Sequence, residues 1–248
     1  IKGSDEISQL SRSFNEMGIQ LQDYIQRQKQ FVSNVSHELR TPLTAIKGYS
    51  EFLADEIGDR PDLKKAVFHL NNESDRLAKL VDEVLTLSRL ETGREEFNLD
   101  RLNLSDLIKD TIEKMQLRAE KYETELVSNI TPEVYVRGDK QKLVQVIVNL
   151  LDNAFKYSPP GSTVRVSLYK ETSEAILMVV DQGIGIPDKD RLKVFDRFYR
   201  AENARSISGT GLGLSIVKHI VDAHSGSIKL TEGVEGGTVA ILRLPTES

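Results

Sequence analysis

A chain of 248 residues with 39% hydrophobic content is long enough for two ordinary domains, each with a core of its own. A formal charge of −5 and a sequence pI near 5.5 argue against a nucleic-acid protein, which would show a basic face to phosphate. The lack of cysteine excludes disulfides, zinc–thiolate sites and thiol nucleophiles, and no long uncharged apolar stretch predicts a bilayer span or a signal peptide. Because it begins at Ile1 rather than Met, the chain is expected to be a fragment of something longer.

From Asp5 to Ile57 the apolar residues Ile7, Leu10, Phe14, Met17, Leu21, Tyr24, Phe31, Val35, Ile46 and Leu53 follow a heptad seam. At 1.5 Å per residue such a helix reaches about 80 Å, far more than a compact domain needs. "EIGDRPD" (56 to 62) supplies Gly58 and Pro61 as stop and restart signals. A second run, Leu63, Val67, Leu70, Leu77, Leu80, Val84 and Leu87, completes a helical hairpin. Two helices cannot bury such stripes alone, so two hairpins are expected to pair as a four-helix bundle, making the protein a homodimer.

Within the first arm, "FVSNVSHELRTPL" (31 to 43) sets His37 beside Glu38 and puts Thr41 one turn later. With Val35 on the seam, His37 falls on a flank that faces solvent. Pro42 removes a backbone donor and crowds the Glu38 carbonyl, so the helix should bend there. A neutral imidazole is a good nucleophile near neutral pH, and a carboxylate on its other nitrogen would fix the tautomer. The same pair also suits an ordinary solvated helix face. A metal site is the poorer reading, since the chain has four histidines and no cluster of them.

"ETGREEFN" (91 to 98) breaks the seam. Beyond it, helical periodicity runs over 104–122, 139–157 and 214–224, and strand-like alternation over 126–130, 163–170, 175–180, 227–231 and 238–244. An α+β layer, with helices on one face of a mostly antiparallel sheet, is the natural solution. On the second helix Asn149, Asn153 and Lys156 form a polar stripe suited to a phosphate-bearing ligand with Mg²⁺, or to water. "DQGIGIP" (181 to 187) places Asp181 at a strand end, where the glycines let backbone approach a ligand. "GTGLGLSIV" (209 to 217) leads a glycine-rich turn into a helix N-terminus, where free amides favour phosphate. Five glycines and weak periodicity mark 181–213 as a functional loop. "GGT" (236 to 238) then opens the last strand.

In this order the motifs resemble those of bacterial sensor histidine kinases of two-component systems, over essentially the whole chain. "FVSNVSHELRTPL" looks like the H-box, "NLLDNAFKYS" the N-box, "DQGIGI" the G1 box, "VFDRFYR" the F-box and "GTGLGL" the G2 box. "DEISQLSRSFNEM" (5 to 17) is similar to the last helix of a HAMP relay. The resemblance implies a HAMP remnant over 1–25, a dimerisation and phosphotransfer domain over 26–92, a linker over 93–98 and an ATP-binding α+β sandwich of the GHKL type over 99–248. It implies that His37 is the phosphoacceptor, with Glu38 as base and orienting partner, and that Thr41 positions water for dephosphorylation. Asn153 would hold Mg²⁺, with Asn149, Lys156 and Tyr157 near the phosphates of ATP. Asp181 would receive the adenine amino group, and Gly183, Gly185, Ile186 and Thr238 would line the nucleotide. Arg200 would reach the γ-phosphate. Gly209, Thr210, Gly211, Leu212, Gly213 and Leu214 would cradle phosphates under a lid packed by Phe195 and Phe198.

The implied partners are a second copy of the chain and a response regulator, without nucleic acid. The membrane would be met only through an upstream segment, leaving this portion in the bacterial cytoplasm. The domains must then move to bring His37 to the nucleotide, with Pro42 as the expected hinge. Related ATP-driven machines use a glutamate where this chain has Asn149, so simple hydrolysis should be slow here.

Overall fold

The computed structural model describes residues 9–14, 16–18, 39, 43–53, 60–91, 95–207, 209–233 and 236–247. His37, Glu38, Thr41 and Pro42, residues 54–59, where the sequence predicts a break, and the seam residues Ile7, Leu21, Tyr24, Phe31 and Val35 lie outside them. Two compact units divide the chain, Ile1–Thr92 and Gly93–Ser248.

In the first unit, residues 9–14, 16–18 and 43–53 are helical, and helix α1 runs Pro61–Glu91. Proline suits the first helical position because the amide it lacks would have no partner there. The apolar stripe proves to be two rows. Val67, Ser74 and Val81 recur every seven residues and are buried, as are Leu43 and Ser50 on the other arm. Ser50 Oγ donates to the Val67 carbonyl at 3.4 Å and Lys47 pairs with Asp75 at 2.5 Å, so these rows lie along the seam between the arms. The second rows, Leu39, Ile46 and Leu53 on one arm and Leu63, Leu70 and Leu77 on the other, also repeat every seven residues and stay 41% to 47% exposed. A single chain therefore has an apolar row on each arm that the hairpin itself does not cover.

The second unit contains β1 (Asp100–Asn103), α2 (Leu104–Lys121), β2 (Glu125–Ile130), β3 (Tyr135–Gly138), α3 (Lys140–Tyr157), β4 (Thr163–Glu171), β5 (Glu174–Val180), α4 (Gly213–Ala223), β6 (Ser227–Glu232) and β7 (Thr238–Pro245). Three short 3₁₀ turns, Asp188–Asp190, Lys193–Phe195 and Glu202–Ala204, punctuate the long loop. The main sheet has the order β2-β4-β5-β7-β6, and β1 pairs with β3 in a separate ribbon. Every pairing in the main sheet is antiparallel except β2 with β4. That pair is parallel because β3 and α3 intervene and return the chain in the same direction.

Alternation sets the core. Val166 and Leu168 of β4, Ala175, Leu177 and Val179 of β5, and Ala240, Leu242 and Leu244 of β7 are buried and in register, and Val164 of β4 is buried opposite Leu126 of β2. Against this face lie Leu104, Ile108 and Ile112 of α2, Leu143, Ile147, Leu151 and Phe155 of α3, and Ile216 and Ile220 of α4, all buried. The α+β layer expected from the pattern is the architecture found.

Asparagine and aspartate start two of the helices. Asn103 accepts from the Ser105 and Asp106 amides at 3.1 and 3.3 Å, and Asp139 from those of Gln141 and Lys142 at 2.9 and 3.1 Å. Asp139 also accepts from the Asn98 amide at 3.2 Å, while its own amide donates to His224 Nε2 at 2.9 Å. His224 Nδ1 lies 2.7 Å from the Ile220 carbonyl, which can only accept, so Nδ1 carries the hydrogen and Nε2 is the acceptor. A buried histidine thus ties the end of α4 to the start of α3, with the Phe97 ring edge-on at 5.6 Å.

Candidate active site

Helix α3 carries the first part of the site. Its apolar face is committed to the core, which turns Asn149, Asn153, Lys156 and Tyr157 to a half-buried stripe beside it. The stripe meets the glycine-rich turn. A methyl group at Gly213 would stand 3.5 Å from Asn149 Oδ1, and one at Gly209 would stand 2.6 Å from Lys156 Nζ and 3.7 Å from the Tyr157 hydroxyl. Lys156 Nζ lies 3.4 Å from that hydroxyl. Burial pushes the Tyr157 phenol up, and the Arg200 guanidinium partly opposes the shift. Lysine, phenol and guanidinium therefore converge where the turn passes over the end of α3.

Helix α4 begins differently from α2 and α3. Leu212 at its N-cap is buried and supplies no side-chain acceptor, so no cap competes for the first amides. Thr210 Oγ1 accepts from the Leu212 amide at 3.3 Å just before the helix, and Leu214 is half-buried in its first turn. Gly211, at φ +75°, packs against the Phe198 backbone, where a methyl would come within 2.7 Å. The motif thus delivers a helix N-terminus whose amides are open to an anion.

Asp181, at the end of β5, forms the other side. Its Oδ1 accepts from the Gly183 and Thr238 amides, each at 2.9 Å, and its backbone amide donates to the Thr238 carbonyl at 2.9 Å. Both amides fall on Oδ1, so Oδ2 is the oxygen on offer to a ligand. Burial holds this carboxyl above the ordinary carboxylate value, although the two amides pull it back. Gly237 admits no side chain, because a methyl there would lie 2.1 Å from the Asp181 carbonyl. At Gly183 a methyl would lie 2.5 Å from the Tyr157 carbonyl, which itself accepts from the Ile184 amide at 3.1 Å. The "DQGIGIP" and "GGT" stretches are thereby locked to each other and to the end of α3. Gly185 (φ +67°) and Ile186 continue the loop, and the Ile186 carbonyl accepts from Arg191 Nε at 3.3 Å.

Arg200 is placed on the loop backbone. Its guanidinium donates to the carbonyls of Ala204 (2.6 Å), Arg205 (3.2 Å) and Ile207. Phe198 is exposed, at φ +59°, and Phe195 is half-buried. Three further residues of the region, Asp190, Tyr199 and Asn203, carry hydrogen bonds within it and were not legible in the sequence, where a non-periodic loop gives no register. Among the described residues no three His, Asp or Glu side chains cluster to hold a metal ion. His37, Glu38 and Thr41 belong to the first unit and lie outside the described residues.

Comparison with known proteins places both units. Residues 27–93 match the family described as the His Kinase A (phospho-acceptor) domain, and residues 138–248 the histidine kinase-, DNA gyrase B- and HSP90-like ATPases. A solved structure of the mycobacterial sensor histidine kinase MprB is 35% identical, covers 60% of this chain and 98% of its own, and superposes with a TM-score of 0.54. The chain belongs to the sensor histidine kinases. Among curated relatives, the sensor histidine kinase WalK of Bacillus subtilis is 39% identical over 227 residues, 89% of this chain and 37% of WalK. The signal transduction histidine-protein kinase/phosphatase MprB of Mycolicibacterium smegmatis is 37% identical over 244 residues, 96% of this chain and 49% of MprB. This histidine kinase chain spans less than half the length of either relative. No helix among its described residues is long and apolar enough to cross a membrane.

Proposed function

We propose that this chain is the kinase portion of a two-component sensor, which uses ATP with Mg²⁺ to phosphorylate His37 and passes the phosphoryl group to an aspartate of a response regulator. The observation that carries the reading is the convergence of Lys156, Tyr157 and Asn149 with the uncapped start of α4, across from a buried Asp181 whose Oδ2 is on offer. One side of the site is cationic and rich in amides, as a polyphosphate requires, and the other presents a single acceptor, as an exocyclic amino group requires. Asn153, half-buried on the same stripe, would hold Mg²⁺ together with the phosphate oxygens, since the described residues offer no carboxylate cluster. When bound, the ion supplies charge neutralisation on the phosphates.

A nitrogen of the His37 imidazole attacks the terminal phosphorus, the bond from that phosphorus to the bridging oxygen of ADP breaks, and Glu38 takes up the ring proton. Catalysis asks the protein mainly for positioning and charge stabilisation, which Lys156, Arg200 and the α4 amides provide. Asn149, where related ATPases carry a glutamate, cannot act as a base toward water, which favours delivery to the histidine. Because MprB is named a kinase/phosphatase, the reading extends to dephosphorylation of the regulator, with Thr41 positioning water. The uncovered rows Leu39, Ile46, Leu53 and Leu63, Leu70, Leu77 support a homodimeric four-helix bundle. The stretch 5–17 supports an upstream membrane-anchored receptor, with this portion on the cytoplasmic side.

Incubation with γ-labelled ATP and Mg²⁺ tests the reading. Label should appear on the protein, survive alkali, be lost in acid and be absent from His37→Gln. Retention of label by that variant removes the assignment.

A further inference from the structure

Within the long loop, segment 199–203 is joined to segment 184–190 by three side-chain contacts in antiparallel order. Tyr199 Oη donates to Asp190 Oδ1 at 2.7 Å, Glu202 lies 3.6 Å from Lys189, and Asn203 Nδ2 donates to the carbonyls of Gly185 at 3.1 Å and Ile184 at 3.3 Å. Their weights differ. The Lys189–Glu202 pair is 70% and 75% exposed and contributes little through solvent. Tyr199 reaches a buried carboxyl and fixes the base of the seam, away from Asp181. Of these three contacts, that of Asn203 reaches the glycine loop itself, gripping the carbonyls of Ile184 and Gly185.

Behind Asn203 the loop is held together from within. Arg200 gathers the carbonyls of Ala204, Arg205 and Ile207, and the Ala204 amide donates to the Ala201 carbonyl at 3.0 Å. A turn closed on itself in this way moves as one piece. Among the contacts described, it is tied to the loop bearing Asp181 by the pair of hydrogen bonds from a single amide group, which has a hydrogen for each carbonyl.

The geometry points to Asn203 as a positioning residue, a latch that holds the 199–207 segment against the Asp181–Gly185 loop and slows departure of the bound nucleotide. This rests on the nucleotide reading of the site given above. Net hydrogen bonds of this kind are worth about 0.5–1.5 kcal/mol, which corresponds to roughly threefold to tenfold in an opening equilibrium.

The test uses the full 248-residue chain with Mg²⁺ and a fluorescent ADP analogue, chased by excess unlabelled ADP in a stopped-flow instrument. Asn203→Ala should release the analogue about threefold to tenfold faster. Its melting temperature without nucleotide should stay within about 2 °C of the parent, as for an exposed substitution. Asn203→Asp keeps the shape but turns lone pairs toward the two carbonyls, so it should release at least as fast as the alanine variant. Release within twofold of the parent in both variants overturns the latch, as does recovery by aspartate, which would show packing rather than donation. Failure of the parent chain to bind the analogue at all removes the nucleotide reading itself, and the latch with it.

Discussion

On the proposed nucleotide reading, Asp181 is the residue that would recognise the base, because its two oxygens are placed differently. Oδ1 is saturated by the Gly183 and Thr238 amides, an arrangement that holds the carboxyl in one orientation and aims Oδ2 outward. Asp181→Asn can keep both of those bonds through its carbonyl oxygen while presenting an NH₂ where the acceptor was. The fold should survive, yet an adenine amino group would meet another donor. A hydrogen bond to a charged group is worth about 1.5–3 kcal/mol, so ATP should bind about tenfold to a hundredfold more weakly. GTP, with a carbonyl at the equivalent position, should lose less, and competitive titration of the two nucleotides reads the difference. The same carboxyl gives a pH dependence. Burial raises its pKa in the folded protein above the unfolded value, so between the two values the folded state keeps a proton that the unfolded chain has lost. Its contribution to stability therefore falls as pH rises through that interval and levels off above it. An amino donor favours the ionised form, so nucleotide affinity should weaken as pH falls through the raised value. Asp181→Asn should flatten that limb of the profile.

At the scale of elements, the helices of the second unit divide by how they begin. Asn103 and Asp139 cap α2 and α3, whereas α4 has no side-chain cap on its first amides. Asp139 does more than cap, since it also fixes Asn98 and, through its amide, the buried His224. Asp139→Ala should destabilise the unit by about 1–2 kcal/mol, measured by urea unfolding. Saturated nucleotide binding should change little, because Lys156 and Tyr157 lie at the far end of α3. The helix caps show only in the structure, but the long periodic helices were readable, and their observed ends fall within a residue of those expected. The four-residue strands β1 and β3 were not, since a two-pair alternation cannot be told from loop. Nor was the parallel pairing of β2 with β4, because alternation fixes which side chains face the core but not the direction of the neighbouring strand. The glycines and asparagines of the site were legible because close approach restricts residue type. Asn203, Tyr199 and Asp190 were not, because a polar residue in a non-periodic loop has many possible partners.

For the whole molecule, the decisive feature is the pair of rows on each helical arm. The sequence shows one heptad seam, and the folded hairpin resolves it into a row it uses and a row it leaves open. Val67, Ser74 and Val81 serve the hairpin, while Leu63, Leu70 and Leu77 remain more than two-fifths exposed, as do Leu39, Ile46 and Leu53 opposite. Covering the exposed part of each would contribute roughly 1 kcal/mol, and two copies supply such residues from both sides. That total is of the order of the 4–15 kcal/mol that association costs, so dimerisation depends on nearly the whole row together with whatever else the bundle buries. Replacing Leu70 and Leu77 by lysine removes two members from each copy and sets like charges across the seam, while Val67, Ser74 and Val81 still close the hairpin. Sedimentation should then show the mass falling from twice 27.9 kDa to 27.9 kDa at micromolar protein. Helical content by circular dichroism should drop only modestly. Binding of ATP, which needs only the second unit, should persist, whereas transfer to His37 should fall by more than tenfold if it occurs between copies and by less if within one. A variant that stays dimeric would show that these rows are not the seam between copies, whatever the state of the nucleotide site.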